Sequence, residues 1–205
     1  MEQTVLVKNQ SPLSDELRTE LIRKSVHILI AAVPSMTAFL GTALTLGILA
    51  TGIVLYTTAE ALRQRGCSVP IITHITRVSS RSREANHFVL GPVTLGIGAM
   101  LAIMLYPHPA ASIAVYALAF GDSAASVAGK FLGRLTIPLT GGKTLAGSLA
   151  CTVVVALTVA IMLQGQVLIA LALGITAALL EALPTRDADN LLLPVGVGLA
   201  ATLIL

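Results

Sequence analysis

Asp122 and Glu181 stand inside stretches otherwise apolar enough to lie in lipid. A carboxylate in hydrocarbon costs at least about 2.5–3.5 kcal/mol on insertion scales, so such residues mark sites more often than scaffolds. Polar neighbours gather around both. Glu20, Arg23, Lys24 and His27 are spaced to share one helix face. Asp122, Ser126, Lys130 and Arg134 recur every fourth residue, Lys143, Thr144 and Ser148 follow, and Asp187, Asp189 and Asn190 come shortly after Glu181. Glu84, Asn86 and His87 form a smaller group. Carboxylates facing several cations suit phosphoryl or nucleotidyl transfer: Mg²⁺ is held by one or two carboxylates plus the phosphates of a nucleoside triphosphate, and Lys or Arg neutralises the remaining oxygens.

Each of these residues also has an ordinary reading. Lys and Arg beside an apolar helix anchor its end, His27 is then an interfacial histidine, and Asp189 or Asn190 caps the last helix. The five arginines between 63 and 83 would then bind anionic lipid. The ordinary readings leave Asp122 and Glu181 unexplained. The stretch "LTGGKTLAG" ends like a phosphate-binding P-loop but carries Ile137 where that motif needs glycine, and no strand precedes it. Gly141 and Gly142 could still turn backbone N–H groups and the following helix N-terminus toward phosphate.

The elements that must position these groups are apolar helices. The chain of 205 residues is 55% hydrophobic and only 11% charged, with a mean hydropathy of +0.88, outside the range of soluble domains. About seven apolar runs, roughly 25–41, 42–62, 86–106, 109–129, 145–163, 166–183 and 190–205, approach the length needed to cross a bilayer. The reading is therefore an all-α integral membrane protein, a compact bundle of about seven transmembrane helices (six if a short terminal run fails to cross). It forms a single polytopic domain over 1–205, with a segment 1–24 and loops 63–85 and 130–144 on one side. All 13 Lys and Arg fall on that side, and the opposite turns at Gly41, 107–109 and 164–166 have none. By the positive-inside rule that side, with the N-terminus, is cytoplasmic. Met1–Lys24 lacks the pattern of a cleavable signal peptide. Cys67 and Cys151 suggest neither a disulfide framework nor a metal site. Nothing points to nucleic acid as a partner. Ala117, Gly121, Ala125, Gly129 and Gly133 form a small-residue ladder suited to close helix packing, within the chain or between chains. Across the predicted bilayer only His108 stands out.

Four stretches, "ELIRKSVHILIAAVP" (20–34), "FGDSAASVAGKFLGR" (120–134), "GGKTLAGSLA" (141–150) and "EALPTRDADNLLLP" (181–194), resemble in the same order the CTP-dependent lipid kinases. That family includes dolichol kinase, phytol kinase and the CTP-using diacylglycerol kinase, and is distantly similar to phosphatidate cytidylyltransferases. The resemblance implies transfer of the γ-phosphate of CTP, with Mg²⁺, to the hydroxyl of a membrane-embedded prenol or diacylglycerol at the cytoplasmic face. It carries over Arg23, Lys24 and His27; Asp122, Lys130 and Arg134; Lys143, Thr144 and Ser148; and Glu181, Asp187, Asp189 and Asn190. The roles that follow are Asp122 with Asp187 or Asp189 for metal. The cations, Thr144, Ser148 and Asn190 serve the nucleotide, and Glu181 and His27 orient or deprotonate the alcohol. Many members carry an acid where this chain has Ala146, and phytol-kinase-like members do not, so the pattern leans toward a prenol acceptor. The compact chain makes dolichol itself a less suitable acceptor. Two other readings stay open: a cytidylyltransferase, in which a lipid phosphate attacks the α-phosphorus, and a small-solute transporter using Asp122 and Glu181.

Overall fold

The computed structural model describes residues 12–67, 87–185 and 188–205. Asp187, Arg186 and most of the 63–85 loop lie outside them. The described residues are helical apart from turns and one isolated bridge, Thr136 to Thr144. Helix α1 (Pro12–Ile28) continues through a 3₁₀ turn (Leu29–Ala32) into α2 (Val33–Leu40). It begins within the polar segment, before the apolar run. Gly41, at φ +82°, ends that rod and turns the chain into α3 (Thr42–Gln64). Helix α4 (Gly91–Leu105) starts on Gly91-Pro92, five residues later than the apolar run implies. Proline supplies no N–H, which costs nothing in a first helical turn.

The next rod is α5 (Ala110–Tyr116), a π segment (Ala117–Gly121) and α6 (Asp122–Leu132). A short hairpin then leads into α7 (Leu145–Met162), a turn through Gln164 and Gly165 into α8 (Val167–Glu181), and finally α9 (Asp189–Ile204). Three stretches, Thr42–Gln64, Ala110–Leu132 and Leu145–Met162, are long and apolar enough to cross a membrane; α4, α8 and α9 are shorter apolar helices.

The α5–α6 rod is the most enclosed of the three. Its small-residue ladder is an intramolecular seam with α7. A β-carbon at Gly121 would sit 2.7 Å from Val155 Cγ2, and one at Gly147 2.8 Å from the Ala125 carbonyl oxygen. Only glycine allows backbones that near. The other face of α7 is the opposite case: Leu145, Leu149, Val153, Leu157 and Ile161, four residues apart, are all exposed. On α9, Pro194 lacks the N–H that would bond the Asn190 carbonyl. That carbonyl lies against Gly98, where a β-carbon would be 2.0 Å away. Asn190 Nδ2 donates to Thr94 Oγ1 at 2.9 Å and to the Gly91 carbonyl at 3.3 Å, fastening α9 to the start of α4.

Candidate active site

The polar residues meet where α6 and α8 end and α7 and α9 begin. A cavity of about 660 Å³ opens there, in the size range of ligand sites. Three cations line it, Arg23, Lys130 and Lys143, with three carboxylates, Glu20, Glu181 and Asp189. Each arrives by a local structural reason. Glu20 and Arg23 are one turn apart on α1 and pair at 2.9 Å. Lys130 is in the last turn of α6 and reaches Glu20 Oε2 at 3.4 Å. Lys143 is held by the hairpin before α7, in which Ile137 N–H donates to the Lys143 carbonyl at 2.8 Å. Its ammonium pairs with Glu181 and lies 3.8 Å from Asp189 Oδ2. Glu181 is buried at the end of α8, and Asp189 is the more open of the two.

Burial works against the charge of Arg23, but Glu20 and then Asp122 outweigh it and raise the guanidinium above its ordinary value. Its Nε and the hydroxyl of Thr185, both belonging to cavity-lining residues, are buried without a hydrogen-bond partner. Such unsatisfied groups are rare in folded proteins and suit a polar ligand. Gly141 and Gly142 form part of the wall, with φ +70° and +99°, a conformation that disfavours residues with side chains.

Asp122 is elsewhere. It is buried where the π segment passes into α6, ion-paired with Lys24, and its Oδ2 is 3.1 Å from His27 Nε2. Lys24 and His27 are also buried. The four-residue face of α1 thus divides: Glu20 and Arg23 turn to the cavity, Lys24 and His27 to Asp122. Of the residues singled out in sequence, Glu20, Arg23, Ser126, Lys130, Lys143, Thr144, Glu181 and Asp189 line the cavity; Asp122, His27, Lys24, Arg134, Ser148 and Asn190 do not. Thr144 is the N-cap of α7, its Oγ1 accepting from Gly147 N–H at 3.2 Å. Arg134 is exposed, Ser148 is half-buried with its hydroxyl unpartnered, and Asn190 is taken up by α4.

Glu20, grouped with Arg23 in the sequence but given no role there, belongs to the cavity. One carboxylate escaped the selection from sequence. Glu60, fully buried on α3, accepts from Val89 N–H at 3.0 Å and pairs with Arg63 at 2.7 Å, holding the approach to α4. Among the described residues no three His, Cys, Asp or Glu side chains converge as a metal cage. The donor set does suit an ion completed by phosphate oxygens, since Glu181 and Asp189 both face Lys143. Compared with protein-family models, curated proteins and solved structures, the chain returns no match.

Proposed function

We propose that the chain is an integral membrane enzyme that transfers a phosphoryl group from a nucleoside triphosphate to a lipid alcohol. The observation carrying this reading is the cavity at one end of an apolar helical bundle, where three cations oppose three carboxylates. A membrane setting is supported by the three long apolar stretches and by the exposed aliphatic stripe on α7. In this reading seven helical rods cross the bilayer, and the cavity opens on the cytoplasmic side, where the basic residues gather and nucleotide is available.

Arg23, Lys130 and Lys143 bind phosphate oxygens and spread the charge that moves during transfer, which is most of what phosphoryl transfer asks of a protein. Asp189, the more accessible acid, would hold Mg²⁺ together with the nucleotide; bound there, the ion supplies further charge neutralisation. Buried Glu181 orients the acceptor and takes its hydroxyl proton. The acceptor oxygen bonds to the γ-phosphorus as the bond to the β,γ-bridging oxygen breaks. Nucleoside diphosphate leaves, and the lipid carries the phosphate. Asp122, with Lys24 and His27, acts as a buried brace that docks α1 and so aims Arg23. In this reading Asp122 and His27 take positioning roles in place of the chemical ones inferred for them from the sequence. CTP as donor and a prenol or diacylglycerol as acceptor rest on that resemblance alone.

The test is label transfer by purified protein in lipid, with CTP labelled separately at the α and γ positions and phytol, longer prenols, diacylglycerol or phosphatidate as acceptors. The expected result is γ label on a lipid alcohol, lost in Glu181→Gln and Asp189→Asn. Label from the α position with release of pyrophosphate would replace the kinase by a cytidylyltransferase. No transfer of either label by folded protein would contradict both enzymatic readings and favour transport.

A further inference from the structure

The hairpin that brings Gly141, Gly142 and Lys143 to the cavity carries apolar side chains away from it. Leu139 at its tip is 96% exposed and sits at φ +66°, a left-handed backbone that leucine seldom adopts. Leu135 at its foot is 68% exposed, and Phe131 and Leu132, closing α6, are 56% and 70% exposed. Backbone bonds set this outward aim: Leu145 N–H donates to the Leu135 carbonyl at 3.0 Å, and Ile137 N–H to the Lys143 carbonyl at 2.8 Å. Arg134, exposed and outside the cavity lining, lies among these apolar residues in the chain, while Lys130 turns to Glu20 at the cavity.

Water penalises an apolar patch of this extent. The patch leads along the chain into the exposed aliphatic stripe of α7, which begins at Leu145. Apolar tips with a cation beside them match the boundary of a bilayer: aliphatic groups enter the acyl region while Arg stays at the level of lipid phosphate. We propose that the 133–144 hairpin is an interfacial anchor whose partner is the anionic surface of the membrane holding the bundle. Because the same hairpin supplies Lys143, the anchor fixes one wall of the cavity at headgroup depth, where the hydroxyl of an amphiphile would lie. The inference rests on the membrane part of the reading above and is independent of the transfer chemistry.

The chain contains no tryptophan, so Leu139→Trp introduces a single reporter. The full-length variant is placed in phosphatidylcholine–phosphatidylglycerol vesicles containing lipid brominated on its acyl chains. Leu157→Trp, on the exposed stripe of α7, reports on the membrane reading itself, and Leu135→Trp repeats the hairpin test if the tip variant misfolds. The expected result is at least twofold quenching at positions 139 and 157, with quenching at 139 reduced when Arg134→Gln is added. Quenching at 157 with water-like, unquenched emission at 139 would overturn the anchor and leave the membrane reading standing. Blue-shifted but unquenched emission at 139 would overturn it in favour of a protein partner, a second copy of the chain included. Absence of quenching at both positions would overturn the anchor together with the membrane reading.

Discussion

The bundle has a cavity at each end, and the two differ in kind. At the charged end, about 660 Å³ is lined by three cations and three carboxylates. Where α2 and α4 end and α5 begins, at the other end of the α5–α6 rod, about 420 Å³ is lined by such residues as Pro34, Ile103, Tyr106, Ala111 and Val115. Its one histidine, His108, is exposed, and among the described residues no Asp, Glu, Lys or Arg lines it. Helices packed through small residues leave hollows at their ends. Size therefore says little about function, whereas the gathering of buried charges says a good deal, since each has a desolvation cost that packing alone gives no reason to bear.

The comparison is broken most sharply by removing one polar side chain at each end. Lys143→Ala is expected to lower label transfer by about 10²–10³-fold, the usual effect of removing one preorganised donor from developing charge. His108→Ala should change it by no more than about twofold. Equal effects from the two would remove the distinction. The brace is tested by stability rather than rate. Asp122→Asn leaves the Lys24 ammonium buried without a counter-charge and should cost about 3–5 kcal/mol in a reversible unfolding assay. Adding Lys24→Met should recover most of that loss, because exchanging a whole buried pair for apolar groups is often nearly neutral. Failure of the double variant to recover would mean that Asp122 does something beyond pairing.

Smaller effects sharpen the packing side. Gly147→Ala drives a β-carbon toward the Ala125 carbonyl oxygen and should destabilise by about 1–3 kcal/mol. Gly52→Ala, in the middle of α3 with open space around it, should stabilise by about 0.5–1 kcal/mol. Melting temperatures of the two variants check the pair, and shifts of the same sign would contradict the seam. Thr144→Ala should cost about 1 kcal/mol through loss of the α7 cap, read in the same way.

How far the sequence reveals all this depends on the range of the interaction. Some ends of the helices are local matters: Gly41 and the Gln164-Gly165 turn announce them, whereas the start of α4 at Gly91-Pro92 was passed over because the apolar run begins before it. The small-residue ladder likewise announces a close helix contact, because close packing needs glycine at four-residue spacing, but not that its partner is α7 of the same chain. The gathering of charge at one end can be read from where Lys and Arg stop and apolar runs begin. What could not be read is which charge meets which. Glu20, Arg23, Lys24 and His27 fall within one arc of α1, and only the packing of that helix across the π segment and α6 divides them. The π segment has no short-range signature either. Asn190 and Thr144 look like ligands in a list of polar residues, but backbone needs claim both: Thr144 caps α7, and Asn190 stitches α9 to α4. Glu60 was passed over although Arg63, its ion-pair partner, is one turn along the same helix; the backbone of Val89, which completes the account of its burial, lies far along the chain.

The central claim is that the charged cavity binds a magnesium–nucleoside triphosphate. Equilibrium dialysis of α-labelled CTP with Mg²⁺ against purified protein in lipid tests it most directly, using wild type, Lys143→Ala and His108→Ala. The account expects saturable binding at one site per chain in wild type, retained in His108→Ala and lost in Lys143→Ala. Folded wild type that binds none, or binding that Lys143→Ala leaves intact, would contradict it.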